Sequence, residues 1–425
     1  MKNFLEKNKN LLLYFVSLVF LIVTTGTDIF LFQYGPSVLM TLGFKIPAFI
    51  ISVGFGVFFV IYMLRTKTVK IRKSIYLIFA ILVISVLIGT LCSPNTIEFG
   101  LKGRDGNVFH FLYQSTPTYK TIFALDGIAF VLLAFIVIFI TPSVVDLNGN
   151  IIYLMYFFLA LVGVGMIYSL IAEGNKIPQF FANLNDPYPY TFISLFAHRN
   201  VFGLVLMISI MCIIYMFFRF NKKRILFALI PLLFFMMMTL CKTTIILTAF
   251  LLIASAALYA AKLYKESKKQ SFILLSCVGA LIVLAIIVIF ATPLRDKFYS
   301  VFVSTGNLTI STRSDIWTKA LGIASQNPVS LIFGRGFGQF CDILFAANKA
   351  DASCPINFNC YHAHNMYIQE LGNGGIIWAI ALLSLIVFLF YKIIKNIKKE
   401  NKIQNWFWIL VMVVMMVQCM FETII

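Results

Sequence analysis

Apolar residues run along this chain in long unbroken stretches separated by polar segments of very different length. The pattern predicts spanning helices near 11–31, 43–64, 74–92, 122–142, 151–172, 200–218, 225–241, 243–261, 271–291, 366–391 and 406–424. Each is close to the ~20 residues with which a helix crosses a hydrocarbon core. Only helices and closed barrels satisfy their backbone in lipid, and barrel strands alternate apolar with polar positions, which these runs do not. The basic start Met1–Asn10 leads into an apolar run longer than the core of a signal peptide, with no small-residue cleavage site after it, and is read as a first, retained helix. The predicted fold class is all-α: a polytopic helical membrane protein of about 11–12 transmembrane helices with one large, partly helical loop. Its organisation is predicted as helices over 1–291, the loop over 292–365, and C-terminal helices over 366–425.

Composition agrees with this pattern. The chain is 61% hydrophobic and only 12% charged, where soluble domains carry about 25% charged residues. The net charge of +18 raises the question of nucleic acid, but its distribution answers against it. Of 34 Lys and Arg, 21 fall in the short segments 1–10, 65–73, 219–224, 262–269 and 392–402. With the N-terminus inside, these are cytoplasmic loops under the positive-inside rule, and they would also meet anionic lipid headgroups. The inside loop 143–150 alone lacks a basic residue. Three polar segments then face outward: 93–120, 172–199 and 292–365, the last over 70 residues and too long for a plain connection. Within it, "RSDIWTKALGIASQ" puts Ile316, Ala320 and Ile323 on one helical face.

Chemistry concentrates on the outward side. Lys242, in the apolar stretch "MMMTLCKTTIILTAF", stands at the turn between two predicted spans, where a cation either snorkels to the interface or meets an anionic group. Arg313 follows Ser311 and Thr312, which suit a helix cap, and its planar fork matches phosphate oxygens. Two of the four histidines lie in "YHAHNMYIQELGNGG", just before a long apolar run. Imidazole suits proton transfer near neutral pH, and the residue types alone do not rank His364 above His362. Glu370 follows at membrane depth, and Gly372–Gly375 permit a kink or close helix approach. Cys354 and Cys360 are the cysteine pair most easily bridged in an oxidising compartment. No zinc spacing, Walker loop, dinucleotide fingerprint or paired acidic metal motif is present.

The segment "TRSDIWTKALGIASQNPVSLIFGRGFGQF", followed by "HAHNMYIQELGNGGIIWA", resembles the O-antigen ligase and O-antigen polymerase family of membrane glycosyltransferases. That family's late region runs Arg, Trp, Pro, a glycine-rich turn, then His-Asn, Tyr and a glycine-rich helix start. "AHRNVFGLVL" resembles its entry to a middle helix, and "TLCKTTIILTAF" its Ser-x-Ser-Arg segment, with Lys242 where arginine is usual. The resemblance covers roughly Phe196 to Ile377. It implies a GT-C-like enzyme of the bacterial inner membrane that needs no metal or cofactor and faces outward. The implied donor is a glycan on undecaprenyl diphosphate; the implied acceptor is a glycan or another lipid-linked carrier. Carried onto this chain, Lys242 and Arg313 hold the diphosphate and His364 is the base on the acceptor hydroxyl. Arg199 and Arg335 are further contacts to diphosphate or sugar, and Asn365, Tyr367 and Glu370 position the acceptor or the histidine.

Polymerisation of lipid-linked repeat units is the leading reading. A ligase that moves a finished glycan to another carrier shares the same motifs. A flippase for lipid-linked glycans is the third alternative, and Asp28 and Asp126 are the residues that would favour it.

Overall fold

The structure, a computed structural model, describes residues 73–135, 147–182, 199–291, 310–353 and 362–421, together with 192 and 295 and without 104, 337 and 401. The helices expected at 11–31 and 43–64, and the Cys354–Cys360 pairing, lie outside the described residues. Among those residues, five helices are long and apolar enough to cross a membrane, and a shorter one, Tyr76–Leu91, is also apolar. The chain is an all-α, polytopic integral membrane protein. Its packing divides it into two compact units: residues up to Leu154 with Ser311–Leu385, and Met155–Ile310 with Ile386–Phe421.

In the first unit, α1 (Lys73–Leu91) packs along α2 (Pro117–Phe135). The connection between them is not loop. It is an antiparallel hairpin, β1 (Thr96–Lys102) and β2 (Val108–Gln114), with Phe99 opposite Phe111 and Ile97 opposite Tyr113. Strict alternation in β1 sends Ile97, Phe99 and Leu101 to one face. The turn is fixed by Gly103 N–H to Asn107 O at 2.7 Å and by Asp105 Oδ1 accepting from Asn107 N at 3.0 Å.

The buried face of the hairpin is the floor for the helices of the long loop. These are α9 (Ile310–Ser325), α10 (Pro328–Phe333) and α11 (Gln339–Ala350). Ile316, Ala320 and Ile323 share a buried face of α9, as their spacing predicts, and meet Ile97, Phe99, Leu101, Phe340, Ile343 and Leu344 in one core. Asn327 and Ser330 form a reciprocal capping box that starts α10, with Pro328 at its first position.

In the second unit, α3 (Leu147–Glu173, which begins in the first unit), α4 (Lys176–Ala182), α5 (Arg199–Phe220), α6 (Leu229–Thr239), α7 (Lys242–Glu266), α8 (Lys268–Ala291) and α13 (Ile403–Phe421) follow in order. The last helix of the loop region, α12 (Met366–Lys399), runs from the first unit into the second. α5 is apolar all round and buried through Phe202, Leu206, Met207, Ile210 and Ile213, as a central helix must be. A Cβ at Gly203 would stand 2.9 Å from Thr244 Oγ1, so glycine lets α5 approach the start of α7.

One expected span differs. The stretch 225–241 opens as a 3₁₀ turn, Lys223–Ala228, and only Leu229–Thr239 is α-helical. Eleven residues rise about 16 Å, roughly half a hydrocarbon core. Leu240, left-handed at φ 48°, ends α6, and Cys241 starts the next helix at once.

Candidate functional site

His364 sits between the loop and α12 in a left-handed backbone conformation, φ 48°. For a residue with a Cβ this costs on the order of 1–2 kcal/mol, so its surroundings must hold it. They do so on both sides. Ahead of it, Ala363 is fully buried; its carbonyl accepts from Trp317 Nε1 at 2.9 Å and its N–H donates to Gln369 Oε1 at 2.9 Å. Behind it, Asn365 caps α12, its Oδ1 accepting from Tyr367 N at 3.0 Å and Ile368 N at 3.2 Å. The Asn365 carbonyl then takes the N–H of Gln369 at 2.9 Å.

Trp317 joins two candidates that are distant in sequence. Arg313 precedes it by four residues on α9, and positions i and i+4 share a helix face about 6 Å apart. The helix face that carries Arg313 is thus bonded to the peptide that carries His364. His362 has a different neighbour, the Cys341 thiol, 3.9 Å from its Nδ1.

Below the histidine, α12 is broken. Gly375 has φ 69° and ψ −164°, and the helical ladder is interrupted there. Freed carbonyls inside a membrane protein need new donors, and the glycine-rich turn after α10 supplies them. Arg335 N donates to Gly372 O at 2.7 Å, Gly336 N to Asn373 O at 2.8 Å, and Ser85 Oγ on α1 to Gly374 O at 3.1 Å. A Cβ on Gly375 would stand 2.3 Å from Ile332 O, and one on Gly336 would meet Thr90 Oγ1. The two glycine motifs are therefore two halves of one joint.

Arg335 serves this joint. Its side chain is 2% exposed; Nε donates to Ile323 O at 3.3 Å, a terminal nitrogen donates to Gln326, and the guanidinium lies 5.4 Å from the Phe99 ring. Burial lowers its pKa to about 10, which leaves it a cation at neutral pH.

The polar groups of α12 form a chain. Gln369, fully buried, donates to Cys341 Sγ at 3.1 Å and to Asn373 Oδ1 at 3.3 Å; Asn373 donates to Glu370 Oε1 at 3.4 Å. The second Glu370 oxygen is buried with no hydrogen-bond partner among the described residues. Two further pairs fix the body around the site. Lys319 and Asp351, both buried, meet at 2.6 Å, and Tyr113 OH donates to Asp342 Oδ2 at 2.8 Å. Burial raises the Asp342 carboxyl, against the Tyr113 hydrogen bond.

The structure therefore brings Arg313, Arg335, His364, Asn365, Tyr367 and Glu370 into the first unit. Lys242, exposed at the start of α7, and Arg199, at the start of α5, belong to the second. Among the described residues, no group of three His, Cys, Asp or Glu is placed to hold a metal.

Residues 226–383 match the O-antigen ligase family. The matched stretch includes Lys242, Arg313, Trp317, Arg335, His364, Asn365, Tyr367 and Glu370, while Arg199 and the hairpin precede it. No curated protein and no solved structure matches the chain. The family match supports activity of the O-antigen ligase and polymerase type, with lipid-linked glycans and membrane lipids as its setting. Sequence reasoning missed Gln369 and the Lys319–Asp351 pair, because a lone glutamine or a charged pair 32 residues apart carries no local signal.

Proposed function

We propose that this protein polymerises lipid-linked oligosaccharide repeat units at the outer leaflet of the bacterial inner membrane. The donor is a glycan on a polyprenyl diphosphate, in bacteria undecaprenyl, and the acceptor is a sugar hydroxyl of a second lipid-linked glycan. The observation that carries this reading is the Trp317–Ala363 bond, which sets an Arg313-bearing helix against the His364 peptide: a cation and an imidazole on one framework.

In the proposed step, the acceptor oxygen attacks the anomeric carbon from the face opposite the diphosphate. The new carbon–oxygen bond forms as the bond to the diphosphate breaks, and the configuration inverts. His364 takes the acceptor's proton. Arg313 stabilises the charge that develops on the departing diphosphate. Asn365 and Tyr367 orient the acceptor and the histidine. Arg335 holds the glycine joint rather than substrate. In this reading the N-terminus is inside, which the basic segments support.

The ligase reading is kept by the family match, whose description is ligase. A size profile of the host's surface glycan separates the two. A polymerase with His364→Ala leaves single lipid-linked repeat units and no long chains. A ligase with the same change leaves long lipid-linked chains that never reach their final carrier. An unchanged profile at matched protein level overturns both.

A further inference from the structure

A left-handed backbone is uncommon for a residue with a Cβ, and His364 holds one between neighbours that other elements fix. The peptide before it is held at both polar atoms of Ala363. Trp317, from α9, donates to the carbonyl at 2.9 Å. Gln369, from the second turn of α12, accepts from the N–H at 2.9 Å. Gln369 is itself locked by Cys341 Sγ at 3.1 Å and Asn373 Oδ1 at 3.3 Å, and all of its amide is buried. A buried glutamine with each amide atom bonded has little freedom to shift, and an unpaired buried amide is costly enough to keep it so. The peptide after His364 belongs to Asn365, whose side chain caps α12.

We infer that Gln369 and Trp317 are positioning residues for the reaction: together they clamp Ala363 and thereby fix where the His364 imidazole points. The inference rests on His364 being the base. Neither residue needs to touch substrate. The clamp also couples two elements: α9 holds the peptide before the histidine through Trp317, and α12 holds its neighbours through Gln369 and the Asn365 cap. A base displaced by a fraction of an ångström loses rate without losing substrate affinity.

The test uses the full-length protein in lipid nanodiscs and follows consumption of a polyprenyl-diphosphate-linked glycan. Gln369→Met keeps the length of the side chain and removes both hydrogen-bonding ends. Trp317→Phe keeps an aromatic ring and removes the donor together with part of the indole's volume. Each is expected to lower kcat by about 10–100-fold while donor KM stays within about threefold of wild type. Added to His364→Ala, whose residual rate rests on Arg313, neither is expected to lower the rate further, since residues that act through one group do not add.

Wild-type kcat in both single variants, or a loss that appears in KM instead, overturns the inference. If Gln369→Met does not accumulate, Trp317→Phe decides alone. Failure of the underlying reading looks different: His364→Ala then keeps the wild-type rate. His364→Ala inactive beside a fully active Gln369→Met and Trp317→Phe removes the clamp and leaves the base.

Discussion

Trp317 donates its indole N–H to the carbonyl oxygen of Ala363, 46 residues further along the chain. This bond turns a sequence order, arginine first and histidine much later, into a shared framework. Arg313 stands one turn before Trp317 on the same helix face, and His364 is the residue after Ala363. If Arg313 carries diphosphate charge, its fork and its charge should be separable. Arg313→Lys is expected to retain part of the rate, and Arg313→Ala to lose about 10²–10³ in kcat. Single-turnover transfer from a labelled donor lipid reads both.

The break in α12 makes a stability prediction. Gly375 needs both its left-handed φ of 69° and the space that a Cβ would take from Ile332 O. Gly375→Ala is expected to abolish accumulation of folded protein or to lower its Tm steeply. Gly163, in α3, has open space around it: a Cβ there would meet nothing within 4 Å. Gly163→Ala should be neutral or stabilising by up to about 1 kcal/mol. Fluorescence-detected size exclusion after a heating series compares the two.

The Lys319–Asp351 pair predicts a pH dependence. Burial alone pushes the Asp351 carboxyl up, but hydrogen bonds from Lys319 and Ser353 outweigh it and hold it below the usual carboxylate range. A group depressed in the folded state stabilises the fold above its unfolded pKa of about 4. That contribution is lost as pH falls through the lowered value. Removing one partner of a buried pair costs about 3–5 kcal/mol. Asp351→Asn should therefore lower Tm most near neutral pH, with the gap to wild type closing below about pH 4. Asp342 runs the other way: its raised carboxyl relieves strain as the pH falls, so the contrast between variant and wild type, not the wild-type curve, is the readout.

The membrane helices were legible because apolar runs of spanning length leave little choice in lipid. The buried face of α9 was legible for the same kind of reason: Ile316, Ala320 and Ile323 repeat at helical spacing. The kink at Gly372–Gly375 was legible as one option for a glycine-rich helix start, and its partner, the glycine turn 334–338, was legible only as a turn. Their union depends on the carbonyls of Gly372 and Asn373 finding donors on Arg335 and Gly336, far back along the chain, which no local pattern encodes. The hairpin was legible and overlooked. "TIEFGLK" alternates strictly, and "VFHFLYQ" repeats aromatics at every second position (Phe109, Phe111, Tyr113), with glycines between the two, the signature of a half-buried strand pair. Reading 93–120 only as a polar outer segment missed that its apolar positions build the floor beneath the candidate site. Of the site itself, the residue types were visible, but Gln369 and the role of Trp317 emerge only when the chain is folded.

The proposed base of the glycosyl transfer from a lipid diphosphate is His364, and everything else at the site is arranged around it. The most direct measurement is release of polyprenyl diphosphate by purified protein in nanodiscs supplied with donor and acceptor, comparing wild type with His364→Ala and His362→Ala. His364→Ala is expected to lose about 10²–10⁴ in rate, while His362→Ala, whose ring faces Cys341, stays near wild type. Wild-type release by His364→Ala, or no release by the wild-type protein itself, would contradict this assignment.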